Sequence, residues 1–264
     1  MFNTLVGQLD IMHVVAGVLV GMLVGLTGVG GGSLMTPLLV LMFGVNPKTA
    51  VGTDLLFAAL TKTVGGSIHG WRDTVDWHIV RRLATGSIPA AILSVISLQW
   101  FGEIGTRAEH VIIVFLGCML ILTAVATLFH PQLMSYAQHH RRTDDHHAFI
   151  PTIALGAFIG VAVSISSVGA GAIGVTALLM LYPNLSISRI VGTDIAHAVP
   201  LALVAGFGHW LYGAVDIELL LNLLVGSIPG VIVGSLLSSR APDQLLRPML
   251  AAVLLLVGTK MLAS

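Results

Sequence analysis

Charge is what this chain has least of. Only 9 % of its 264 residues are Asp, Glu, Lys or Arg, against roughly 25 % in soluble domains. That scarcity excludes an ordinary water-facing surface. The 12 basic and 12 acidic residues cancel, so the electrostatic footprint of a nucleic-acid binder is missing. There is one cysteine, Cys118, which excludes a disulfide within the chain. It lies in the apolar run Val111–Thr127 and reads as a quiet, buried thiol. No series of ten-residue segments alternates polar and apolar side chains, which excludes a transmembrane barrel. Neither a His-Glu-x-x-His helix, nor a serine elbow, nor the paired carboxylates of a protease is present, so the chain reads as a non-enzyme without metal or cofactor. The N-terminus has no basic region of the kind that precedes a cleaved signal, so the first apolar segment is expected to be retained.

What the chain has instead is hydrophobic length. Apolar side chains make up 56 % of it, in runs such as Ile11–Leu26, Val111–Phe129, Thr152–Ile165 and Leu219–Leu237. A helix needs ~20 mostly apolar residues to cross a bilayer. The fold class is therefore all-α, a polytopic bundle of transmembrane helices with the lipid bilayer as its surroundings.

The chain also contains itself twice. Val51-Gly52-Thr53-Asp54 returns 140 residues on as Val191-Gly192-Thr193-Asp194. At the same offset His69 meets His209, Val75-Asp76 meets Val215-Asp216, and Gly86-Ser87-Ile88-Pro89 meets Gly226-Ser227-Ile228-Pro229. One residue out of phase, Gly28-Val29-Gly30-Gly31-Gly32 aligns with Ser167-Val168-Gly169-Ala170-Gly171. Duplicated apolar halves with a glycine-interrupted segment in each are a transporter pattern.

Five apolar segments are legible in each half, the second of them short in both. Residues 1–130 form the first repeat, 131–148 a polar linker, and 149–264 the second repeat. If all ten segments cross, Arg72, Arg81, Arg82, Arg141, Arg142, Arg189, Arg240 and Arg247 share one face, against Lys48, Arg107 and Lys260 on the other. That bias satisfies the positive-inside rule, with the linker cytoplasmic. An odd number of crossings per half makes the repeats inverted. The short second segment could also be a half-helix. The linker carries His139, His140, His146 and His147; it reads as a solvated connection, since histidine pairs without a scaffold make poor ligand geometry.

Several residues are candidates for carrying transport. The breaks at Gly30, Gly31, Gly32 and Ser33, and at Ser166, Ser167, Gly169 and Gly171, free backbone amides that suit an anion; close helix packing is the alternative use of such residues. Asp54 and Asp194 each lie about two turns inside a helix capped by Asn46 or Ser186, where a carboxylate is costly. They could couple ions, or cap an unwound neighbour and lock the fold. Thr53 and Thr193 stand beside them as hydroxyls for a helix carbonyl or a ligand. Lys62 is the one basic residue inside an apolar span; its counterpart is Ala202. It reads as a cavity charge, a structural ion pair or a snorkelling cation. His197, aligned with Phe57, shares a helix face with Asp194 and could relay a proton or be a satisfied core histidine. His69 and His209 read as C-terminal helix caps. Gly17, Gly21 and Gly25, echoed by Gly156 and Gly160, allow close helix packing within or between protomers, which is compatible with a homodimer. Pro89 and Pro229 kink their helices as hinges or for packing.

At these residues the chain resembles the sulfite exporter (TauE/SafE) family of membrane transporters. The likeness rests on the doubled architecture, the paired Val-Gly-Thr-Asp segments and the stretch Gly25-Leu26-Thr27-Gly28-Val29-Gly30-Gly31-Gly32-Ser33-Leu34-Met35-Thr36-Pro37. It implies a multi-pass protein of the bacterial inner membrane that moves sulfur-containing anions, such as sulfite or small organosulfonates, usually outward. An anion channel and a sodium- or proton-coupled carrier of another small solute stay open at this point.

Overall fold

The computed structural model describes residues 10–27, 34–68, 75–102, 106–139, 148–169, 171–237 and 243–263. Among them are ten helices and no strand: α1 Ile11–Thr27, α2 Met35–Leu41, α3 Pro47–Ile68, α4 Trp77–Gly102, α5 Thr106–His139, α6 Phe149–Ser166, α7 Ala172–Leu181, α8 Ile187–Leu211, α9 Ile217–Leu237 and α10 Asp243–Ala263. Six of them (α4, α5, α6, α8, α9 and α10) contain stretches long and apolar enough to cross a membrane. Large apolar side chains such as Leu93, Trp100, Leu122, Ile150 and Leu256 point outward. A soluble monomer rarely exposes so much apolar surface in one piece, whereas lipid covers it without cost.

Local chemistry starts the helices where the sequence suggests. The Asn46 side chain accepts the Lys48 amide at 3.0 Å and Ser186 accepts the Arg189 amide at 3.3 Å. Asp76 and Asp216, matched by the repeat, cap α4 and α9 by accepting amides of His78 and Leu219. Each such cap satisfies an amide that the helix itself leaves open. Gly213 ends α8 at φ +69°, a conformation in which glycine avoids a side-chain clash.

The glycine ladders join the two halves. Along α1, a Cβ at Gly17, Gly21 or Gly25 would fall on the carbonyls of Leu223, Ser227 and Val231 of α9. Gly226, Gly230 and Gly234 of α9 answer with the carbonyls of Val14, Val18 and Met22. The second ladder does the same between α6 and α4, where Gly156 meets Leu83, Gly160 meets Ser87 and Gly86 meets Ile153. Residue numbers rise together in both pairs, so α1 runs parallel to α9 and α4 parallel to α6. The ladders therefore pack helices within one protomer, and they lend no support to a dimer.

The equivalent helices run opposite ways. On α3 and α8, Gly52 meets His209 while Leu55 and Leu56 meet Gly206. On α5 and α10, Gly117 meets Gly258 and Leu262, while His130 bonds Arg247 at 2.8 Å. Numbers rise against each other in both pairs, which makes the repeats inverted.

This geometry also settles the short segments. Thr193, near the start of α8, accepts the amide of Asp76, just ahead of α4, at 2.8 Å. α4 and α8 thus leave from one face, and α6, parallel to α4, leaves from it too. Residues 167–186 must return the chain between α6 and α8. At 1.5 Å per residue the ten residues of α7 cover only ~15 Å. The remainder falls to the break between α6 and α7. By the same argument α1 and α3 leave the opposite face, and the seven-residue α2 lies on their return path. α7 is a half-helix that counts as a crossing only together with the break before it, and α2 is shorter still.

One expectation changes. Cys118 is exposed rather than buried, on the outward side of α5; apolar surroundings in a membrane protein include lipid as well as core. α5 runs on as helix to His139, beyond its apolar stretch Glu109–His130, so the first part of 131–148 is helical. Pro89 and Pro229 sit on exposed helix faces inside α4 and α9, both of which continue as helix through them.

Candidate functional site

The breaks and half-helices bring a set of polar side chains together inside the apolar bundle. Asp54 is fully buried on α3. Its Oδ2 accepts two hydrogen bonds from the start of α2, the Thr36 amide at 3.1 Å and the Thr36 hydroxyl at 2.5 Å. The carboxylate thus caps the half-helix of its own repeat, one of the two roles open to it on sequence grounds. Its Oδ1 has no hydrogen-bond partner.

Asp194 on α8 is 2 % exposed and stands at the start of α7. Its Oδ1 rests where a Cβ on Gly174 would be, so only glycine there leaves room for the carboxylate. Among the described residues none donates a hydrogen bond to it, and Oδ1 is buried without a partner. The two aspartates are equivalent in sequence but not in bonding.

Lys62, half-buried, follows Asp54 by eight residues on α3, about 12 Å along the axis. Its ammonium acts electrostatically on both Asp194 and Asp54. His197, fully buried one turn after Asp194, bonds the Ser87 hydroxyl through Nε2 at 2.7 Å, and its Nδ1 is unpartnered. Ser167 ends α6 in the left-handed region at φ +58°, its amide donating to the Val163 carbonyl at 2.7 Å. That turn carries its hydroxyl toward Asp54, and the Ser167 hydroxyl is otherwise without a partner.

Buried polar atoms in folded proteins are nearly always hydrogen-bonded. Here Asp54 Oδ1, Asp194 Oδ1 and His197 Nδ1 have no hydrogen-bond partner among the described residues, and Lys62 acts electrostatically on all three side chains. Gly169 and Gly171, at φ +120° and +127°, hold the break between α6 and α7 in conformations that other residues rarely adopt. The Thr176 hydroxyl on α7 is also buried and open.

Other candidates are occupied elsewhere. Thr53 accepts the Asp216 amide at 3.0 Å, and Thr193 accepts the Asp76 amide and donates to the Arg189 carbonyl at 2.6 Å. Both hydroxyls staple one repeat to the other. The Ser166 hydroxyl donates to the Ala162 carbonyl at 2.7 Å and accepts the Val168 amide at 3.2 Å, closing the end of α6. His209 caps a helix other than its own: Nε2 bonds the Ser164 carbonyl in the last turn of α6 at 2.9 Å. Gly30, Gly31, Gly32, Ser33 and His69 lie outside the described residues. Thr36, Gly174, Ser87 and Asp76 gain their roles only through the structure. Of these, Ser87 and Asp76 already stood out as members of matched pairs.

Comparison with known proteins fits this architecture. Residues 13–261 match the family described as Sulfite exporter TauE/SafE. "Probable membrane transporter protein YjnA" of Bacillus subtilis is 38 % identical over 258 residues, covering 96 % of this chain and 100 % of the relative. "Probable membrane transporter protein YdhB" of the same organism is 30 % identical over 251 residues, covering 90 % and 96 %. A "Probable membrane transporter protein" of Xylella fastidiosa is 26 % identical over 232 residues, covering 87 % and 85 %. No solved structure matches. With its inverted helical repeats and a match spanning nearly its whole length, the chain is a multi-pass membrane transporter and belongs to the sulfite exporter TauE/SafE family.

Proposed function

We propose that this transporter carries a small sulfur-containing anion, sulfite or an organosulfonate, outward across a bacterial inner membrane by alternating access, with the linker side cytoplasmic. The observation that carries the reading is the buried set of Asp54, Asp194 and His197, each with an unpartnered atom and each acted on by Lys62. A pyramidal or tetrahedral oxyanion accepts several hydrogen bonds at once. Lys62 supplies the charge, the Ser167 hydroxyl and the His197 ring supply donors, and the amides of Gly169 and Gly171 line the break. By the repeat, the matching glycine-rich stretch Gly30–Ser33 belongs to the proposed contact set. Irregular backbone inside a membrane is stable only where protein or a wet cavity covers it, which suits a binding site between the halves. Thr193 and Ser166 are left out of the contact set because their hydroxyls already donate to helix carbonyls, and Thr53 because its hydroxyl holds the Asp216 amide.

The test is sulfite flux in proteoliposomes holding the purified protein, with sulfate, chloride and a small alkanesulfonate as competitors. Saturable sulfite flux that resists sulfate and chloride supports the reading. Flux that never saturates points to an anion channel. One observation favours a second reading: two buried carboxylates outnumber the one lysine, a balance that suits a cation. Sodium-dependent binding with no response to sulfite would establish a cation carrier and set the anion aside.

A further inference from the structure

We infer that the two matched aspartates have divided labour: Asp54 is a fixed clasp for α2, and Asp194 is the group that takes up a proton when the anion binds. The inference rests on the anion reading above and assigns its coupling.

Bonding separates the pair. Asp54 Oδ2 holds both the amide and the hydroxyl of Thr36. Donors of this kind stabilise the ionised form and anchor it. At the same offset from Asp194 stands Thr176, whose hydroxyl is buried and finds no partner. No clasp forms in the second half. Gly174 instead clears a space in which the Asp194 carboxylate lies bare. A bare carboxylate inside an apolar bundle persists only with a cation or a proton beside it.

The surroundings leave few sources of compensation. From α3, Lys62 acts on Asp194, and Asp54 shares that same ammonium. The sequences of α6 and α7 carry no ionisable side chain. On α4, His78, Arg81 and Arg82 lie in the first two turns, with Arg82 on the Tyr182 hydroxyl at 3.3 Å. On α8 itself, Arg189 pairs with Asp76 at 3.5 Å, and His197 stands one turn beyond Asp194. Among the described residues Lys62 is thus the cation that acts on Asp194.

An anion that pairs with Lys62 withdraws that cation's effect. Asp194 then accepts a proton, and by linkage the proton on Asp194 strengthens anion binding by the same factor. Anion and proton therefore move together. His197, held by Ser87 with Nδ1 open, offers a route for the proton on the same helix face. Phe57 and Ala202 stand at the positions matching His197 and Lys62, so the relay exists in one half only.

The test uses the purified full chain in proteoliposomes with radiolabelled sulfite at neutral pH. Two modes are measured: exchange between equal sulfite pools, and net accumulation driven by an imposed pH gradient. Wild type is expected to show both. D194N is expected to keep exchange and to fall to the level of protein-free vesicles in pH-driven accumulation, while folded D54N keeps its pH response. Accumulation by D194N under the pH gradient, loss of exchange along with it, or accumulation driven by sodium and blind to pH would each overturn the inference. Should D194N not fold, calorimetry of sulfite binding to wild type in two buffers of different ionisation heat counts protons directly. After correction for sulfite's own titration, one proton taken up per anion supports the inference, and none refutes it. Wild-type vesicles without sulfite exchange would refute the substrate reading itself, a result distinct from all of these.

Discussion

The hydroxyl of Thr53 accepts the amide of Asp216 at 3.0 Å, although the two residues belong to different repeats and lie 163 positions apart. Its image is the bond from the Asp76 amide to Thr193 at 2.8 Å. Each threonine sits in the second turn of a central helix and receives the residue that caps the next helix of the other half. The Thr-Asp pair within each repeat thus serves two ends: the threonine binds the halves together, and the aspartate stands at its own half-helix.

The pair of staples predicts a matched loss of stability. Thr53→Val and Thr193→Val each remove one acceptor and leave a partly buried amide open, which costs about 1–3 kcal/mol. Thermal unfolding of the detergent-purified variants should show both destabilised, by similar amounts. A variant that melts like wild type would mean that water replaces the threonine at that junction.

The clasp makes an unequal prediction for two residues that look equivalent in sequence. Thr36→Val removes the hydroxyl that donates to Asp54 and should lower stability by about 1–3 kcal/mol. Thr176→Val removes a hydroxyl that has no partner, keeps the shape, and should be neutral or stabilising. Equal losses in a melting experiment would contradict the difference between the halves.

The parallel ladders predict where glycine cannot be replaced. A Cβ at Gly86 would strike the Ile153 carbonyl, and one at Gly160 the Ser87 carbonyl. Gly86→Ala and Gly160→Ala should each cost about 1–3 kcal/mol by forcing α4 and α6 apart. Gly213 has open space around it but sits at φ +69°, so Gly213→Ala should cost about 1–2 kcal/mol through backbone strain alone. Melting temperatures in detergent distinguish these, since only the ladder variants should also lose the contact between the two helices in cross-linking.

Much of the fold is legible in the order of residues alone. The 140-residue repeat, the glycine ladders and the caps at Asn46 and Ser186 are local or periodic signals, and the helices begin where those signals fall. The inversion of the repeats is legible as well, through the arginines around the start of α4 that have no counterpart around the start of α9. The direction in which a side chain points is harder. Thr53 and Thr193 read as hydroxyls for a helix carbonyl or a ligand, and Thr193 does bond the Arg189 carbonyl, but nothing near them in sequence reveals that Asp216 and Asp76 arrive from the other half. Cys118 reads as buried because hydrophobicity does not distinguish lipid from protein core. His209 reads as a cap on its own helix because the Ser164 carbonyl it holds is 45 residues away. The inequality of Asp54 and Asp194 is the least legible of all, since it depends on whether α2 and α7 bring a threonine or a glycine against the carboxylate.

The role of Lys62 as the anion's counter-charge is tested most directly by a sulfite-binding titration of purified wild type and Lys62→Met at equal pH and salt. Methionine keeps most of the length and the apolar character of the stem and removes the charge. Saturable binding is expected for wild type, with a loss of affinity of about tenfold or more in the variant, the scale expected when a charged hydrogen bond is removed from a buried site. A folded Lys62→Met protein that binds sulfite as tightly as wild type would contradict that role.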